Sequence, residues 1–164
     1  MGYTVPPTSA PVRGAMPMWP VYLCVMITAL GIGIVTPLIP DILQSHGADE
    51  FIVGLTTSVM FATLALTALP IGKQIDRHGV RPFLLLGLVA YIISMLGMPF
   101  TDSIPLFFVL RAVEGLGWSA VWTAAETYVS QGSPPERRGR NMAMYGMSLS
   151  MGTASGPLIG TFLW

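Results

Sequence analysis

GKQIDRHGVRP, residues Gly72–Pro82, gathers Lys73, Asp76, Arg77, His78 and Arg81 into one short segment. The chain around it is oily. Phe51–Gly72 before it and Pro82–Thr101 after it carry no Asp, Glu, Lys or Arg. The same holds for Gly14–Pro40 and Asn141–Trp164. Each run reaches the roughly 20 residues a helix needs to cross a ~30 Å hydrocarbon core. A fifth run, Ile104–Gln131, is as long but holds Arg111, Glu114 and Glu126. The fold class expected is an all-α membrane protein with five transmembrane helices, near 18–40, 51–71, 82–100, 104–130 and 141–164. Residues 17–164 form the membrane domain, and the proline-rich residues 1–16 are read as a disordered cytoplasmic tail.

Composition agrees with that reading. Hydrophobic residues make up 52% and charged residues 10%, with mean hydropathy +0.66, whereas a soluble domain has about 25% charged residues. The net charge is zero, and no basic patch alternates with aromatics, so nucleic acid is not an expected partner. Cys24 is the one cysteine and has no internal disulfide partner. The first run exceeds a signal peptide's 7–15-residue apolar core and is read as a retained helix. Pro6 occupies the position where an N-myristoylation signal needs Ser or Thr.

Lysine and arginine set orientation, because short loops that carry them stay in the cytoplasm. Arg13 precedes the first span, Lys73, Arg77 and Arg81 follow the second, and Arg137, Arg138 and Arg140 follow the fourth. The alternate connections, DILQSHGADE (Asp41–Glu50) and TDSIP (Thr101–Pro105), have none. An integral, multi-pass protein of the cell or inner membrane, with a cytoplasmic N-terminus, follows. Gly72–Pro82 is then a cytoplasmic loop between two helices, with Gly72 allowing close backbones, Asp76 available to cap a helix N-terminus, Gly79 permitting a tight turn and Pro82 opening the next helix.

The fourth span has a sided pattern. Advancing about 100° per residue, Glu114, Gly115, Trp118, Trp122, Ala125 and Glu126 all fall within roughly 60° of Arg111. Gly117, Ala120 and Ala124 lie opposite, where small residues suit helix packing. A charged stripe facing lipid costs several kcal/mol, so this face should turn to the protein interior or to a water-filled cavity. Arg111 and Glu114, at i and i+3, can equally form a structural ion pair. Counting from Pro105 at about 1.5 Å per residue, Glu114 lies roughly 13 Å down, near the midplane, whereas Glu126 is about 7 Å from the end at Gln131. Asp41, beyond Pro37 and Pro40, is read as an interfacial residue. In the fifth span Gly152, Gly156 and Gly160 recur every fourth residue, a face for close packing, and Pro157 removes one helical hydrogen bond.

Gly72, Asp76, Arg77, Gly79 and Arg81, in the spacing GxxxDRxGxR between the second and third spans, resemble the signature loop of the major facilitator superfamily of transporters. Gln74 and Val80 depart from that pattern. RAVEGLG (Arg111–Gly117) resembles the family's RxxxGxG. GTASGPLIG (Gly152–Gly160) is similar to the GxxxGPxxG of proton-driven antiporters, with Thr161 in place of a further glycine. GIGIVTPLIPDIL (Gly31–Leu43) resembles the first span of drug exporters, and SPPERRGR (Ser133–Arg140) a cytoplasmic loop.

The resemblance implies twelve helices in two halves, with the site between them near the midplane. It also implies a gate loop at Gly72–Arg81, a helix bend at Pro157 that seals against proton leak, and alternating-access transport of a small solute, with protons as a coupling partner. Arg111, Glu114, Trp118, Trp122 and Glu126 are the expected substrate or proton pathway, and the tryptophans suit an aromatic or cationic solute. With five spans, the chain is read as a fragment lacking the remainder of that fold. A sugar or metabolite symporter or uniporter of the superfamily, or a membrane accessory protein, is the competing reading. HExxH, GxSxG and P-loop motifs are absent, so neither an enzyme nor a cofactor or metal site is expected.

Overall fold

The computed structural model describes residues 17–163, with side chains through Gly160. The expected tail, residues 1–16, lies outside the described residues. Those described form helices and no strand: α1 (Met18–Val35), α2 (Ile39–Ser45), α3 (Glu50–His78), α4 (Val80–Gly97), α5 (Ile104–Gly132) and α6 (Pro135–Leu163). Short 3₁₀ turns, Thr36–Leu38 and Met98–Phe100, follow α1 and α4. Prolines explain the break between α1 and α2, since Pro37 and Pro40 each lack the N–H that would continue the ladder.

The helices run past their expected ends. Gly72–His78, expected as a loop, is the last part of α3, and Gly79 alone separates it from α4. Lys73 and Arg77 carry their charges outward without stopping the backbone ladder. Gly79 does stop it, at φ 85°, ψ 168°, a conformation open essentially to glycine alone. Its N–H closes α3 on the Ile75 carbonyl at 2.8 Å. Two local expectations are thereby corrected. No side chain caps the N-terminus of α4, and Asp76 is exposed. Gly72 is not at a helix end, and a Cβ there would meet only Thr123 Cγ2, at 3.8 Å. α6 likewise begins at Pro135 rather than 141, proline being favoured in a first helical turn.

Among the described residues, four segments are long and apolar enough to span a membrane: Met18–Ser45, Glu50–His78, Val80–Phe100 and Ile104–Gly132. α6 has the length, but its polar first turns and its many glycines and serines make it less apolar. It is held instead by shape. A Cβ on Gly152 would run into the Met26 carbonyl of α1, and one on Gly156 into the backbone of Gly33. α1 and α6 thus form one close pair, and α5 forms the other contacts by packing on both α3 and α4. Half of α5's apolar stretch is buried, against 11% for α3. Leu66 and Leu69 on α3 and Leu85 and Leu86 on α4 point outward, as lipid-facing residues do.

Candidate functional site

α5 threads the packed interior, and its sided pattern meets different surroundings along its length. Near its start Arg111 and Glu114, each 1% exposed, form an ion pair between Nη1 and Oε2. The ion-pair arrangement is thus present in the structure. Gly115 makes room beside it, because the Met60 carbonyl of α3 occupies the place a Cβ would take. On the other flank, Ser94 of α4 donates to the Leu110 carbonyl at 2.7 Å. Tyr91 of α4 lies within electrostatic reach of both charges and donates its hydroxyl to the Thr28 carbonyl of α1 at 3.0 Å. Arg111 Nε is buried without a partner.

Trp118 continues the closed region. It is 8% exposed and clusters with Ala29 and Tyr91, its ring 6.4 Å from that of Tyr91 and 5.5 Å from Trp122 in an edge-on contact. Beyond it the helix opens. Trp122 is 37% exposed and Glu126 is exposed. Both border a groove of about 250 Å³ between α3 and α5, with Ser119 and Thr123 on α5 and Leu64 and Ala68 on α3. Ser119 Oγ, on a residue 2% exposed, has no hydrogen-bond partner. The groove joins an indole face, a carboxylate and two hydroxyls to an aliphatic wall. Such a lining can hold a flat, partly apolar solute that carries a positive charge or a hydrogen-bond donor.

A larger recess of about 430 Å³ lies where α3 passes into α4 and meets the end of α5. Asp76, Gly79 and Arg81 border it with Tyr128 and Gln131. Gly72 and Arg77, the other two residues of the GxxxDRxGxR spacing, do not. On α6, Gly152 and Gly156 are packed tightly on α1, whereas a Cβ on Gly160 would sit 3.4 Å from its nearest neighbour, Ile34 O. The helix continues through Pro157. Sequence reasoning missed Tyr91, Ser94 and Ser119. The first two are polar residues three apart in an otherwise apolar span, a detectable signal, while Ser119 offers none until α3 is placed beside it. Among the described residues no cluster of His, Cys, Asp or Glu could hold a metal.

A bundle of long apolar helices with outward-facing leucines and a buried ion pair defines an integral, multi-pass membrane protein. The Major Facilitator Superfamily model matches residues 21–164, and the chain belongs to that family. It is 28% identical over 137 residues to an uncharacterized MFS-type transporter of Bacillus subtilis (strain 168), covering 84% of this chain and 35% of the relative. It is 28% identical over 142 residues to multidrug resistance protein 3 of the same organism, covering 86% and 27%. With the class B tetracycline resistance protein of Escherichia coli it shares 27% identity over 140 residues, covering 84% and 35%. The chain thus spans between about a quarter and about a third of the length of these curated relatives.

Proposed function

We propose that this chain serves in moving a small solute across a membrane by alternating access, as part of a proton-coupled exporter. The observation that carries the reading is the division of α5 into a sealed charge pair, Arg111–Glu114, and an open groove at Trp122 and Glu126. In this reading the groove receives the solute and Glu114 receives the proton. Protonating Glu114 would cancel its charge and leave the Arg111 guanidinium alone in the packed interior, which is costly. Proton uptake therefore favours a different placement of α5, and that is the physical basis for coupling. The arginine-rich connections face the cytoplasm by the positive-inside tendency. Asp76, Arg77, Gly79 and Arg81, at the one-residue break between α3 and α4, act as the gate, with Gly72 part of the same motif. The tight Gly152 and Gly156 contact, with Pro157 in the same helix, is the seal between α1 and α6. Relatives named for multidrug and tetracycline resistance support export.

The test is uptake of ethidium, a flat aromatic cation, by sealed everted vesicles containing the full-length protein, with and without an acid-inside gradient. The gradient should accelerate uptake by wild type. Glu114→Gln should keep downhill ethidium flux and lose the acceleration. Equal acceleration in both would remove Glu114 as the coupling acid. Flux indifferent to the gradient in wild type would leave a uniporter.

A further inference from the structure

At the end of the bundle opposite the arginine-rich connections, His46 follows the last turn of α2. Its Nδ1 lies 2.6 Å from the Ile42 carbonyl oxygen, one turn back, and its Nε2 lies 3.1 Å from Asp102 Oδ1 in the connection between α4 and α5. Both partners are acceptors. A neutral imidazole has one N–H and one lone pair, so it can donate to either oxygen but not to both. The two contacts together require the doubly protonated ring.

The surroundings leave that choice to the proton. Ser45 Oγ, 3.3 Å from Nδ1, already donates to the Ile42 carbonyl at 2.7 Å. Of the nearby carboxylates, Asp102 is the one that acts on the ring. Asp49 accepts the Ile52 N–H at 2.9 Å as the cap of α3, and Asp41 and Glu50 occupy the first turns of α2 and α3. The connections at this end hold no lysine or arginine. The ring is therefore held protonated above its ordinary range, first by the Ile42 carbonyl and then by Asp102, against a smaller opposing effect of burial.

The contact also has a mechanical position. α2 is a seven-residue segment set off from α1 by the Thr36–Leu38 turn, where Pro37 and Pro40 leave helical hydrogen bonds unmade. Ile39 and Leu43 anchor one side of α2 in a cluster with Met98 and Phe107. The His46–Asp102 contact, a surface pair in which the Asp102 side chain is 99% exposed, is a second point of attachment at its far end, to a residue 56 positions away.

We propose that His46 is a proton-dependent brace: as the imidazolium it ties the end of α2 to the α4–α5 connection, and on losing a proton it releases one of its two contacts. The sign follows from the direction of the shift. A histidine whose folded pKa is raised contributes stability that is fully present below its unfolded value and is lost as pH rises through the folded value. Acidity at this end of the bundle therefore tightens α2; at alkaline pH the neutral ring that keeps its closer contact, Nδ1–H to the Ile42 carbonyl, gives up Asp102 and frees that end of α2 to pivot on the Thr36–Leu38 turn. The inference depends neither on the identity of a solute nor on the direction of its movement.

Two readings on the full chain in lipid nanodiscs test it. The first is the ¹⁵N-imidazole titration of His46, identified as the resonance lost in His46→Gln. Both ring nitrogens should be protonated at low pH, with a midpoint higher in wild type than in Asp102→Asn. The second is the distance between spin labels at Gln44→Cys and Ser103→Cys in a Cys24→Ser background. Its distribution should narrow as pH falls through that midpoint, and should be insensitive to pH once Asp102→Asn or His46→Gln is added. Identical midpoints in wild type and Asp102→Asn, or a distance distribution in the otherwise wild-type labelled protein that ignores pH, would overturn the brace.

Discussion

Within α5, Arg111 and Glu114 are each 1% exposed and Trp118 is 8% exposed, whereas Trp122, one turn further on, is 37% exposed and Glu126 is exposed. All five lie on one side of the helix by their spacing. What separates them is the neighbour. Around Arg111 and Glu114, α3 approaches through Gly115 and α4 through Ser94, and both side chains are buried. Around Trp122 and Glu126, Leu64 and Ala68 of α3 leave a groove. A stripe on a helical wheel fixes direction, and the packing of adjacent helices decides whether that direction leads to a partner or to an opening.

The largest effect should come from breaking the closed end. Glu114→Met leaves the Arg111 guanidinium buried and permanently charged, since arginine cannot shed its proton in a protein. Removing one member of a buried pair costs about 3–5 kcal/mol, and unfolding in mixed micelles should show that loss. Arg111→Met combined with Glu114→Met should recover most of it, because replacing both members of such a pair by apolar groups is often nearly neutral.

A smaller effect sharpens the same contrast between closed and open faces on α6. Gly156→Ala forces a methyl into the backbone of Gly33, and overpacking of this kind costs about 1–3 kcal/mol. Gly160→Ala, whose nearest neighbour would be Ile34 O at 3.4 Å, should stay within about 0.5 kcal/mol of wild type. Comparing the two thermal midpoints tests whether the glycine repeat is one uniform face or a tight contact that loosens along the helix.

Much of this architecture is legible in the residues, because hydropathy and length act directly on membrane insertion. The uncharged runs mark the first three spans, and Pro37 with Pro40 marks the place where the first one breaks. Helix ends are read less well. Lys73, Asp76 and Arg77 look like a loop because charge ends a span, yet charge does not end a helix, and α3 continues until Gly79. The polar start of α6 is misjudged for the same reason. The shared face of Arg111, Glu114, Trp118, Trp122 and Glu126 is legible as a direction. Its division is not, since that depends on Met60, Tyr91 and Leu64, residues far away in the chain whose approach no local periodicity encodes.

The difference between the two carboxylates of α5 is the central claim, and it can be measured without a solute. Treating the protein in nanodiscs with a water-soluble carbodiimide and an amine, followed by peptide mass spectrometry, reports which carboxylates meet water. The exposed Asp76 serves as the internal reference. Glu126 should be modified at a rate comparable to Asp76, and Glu114 far more slowly, at the rate set by the rearrangement of α5 that admits its proton. Modification of Glu114 as fast as Glu126 in the folded protein, or protection of both, would contradict the account.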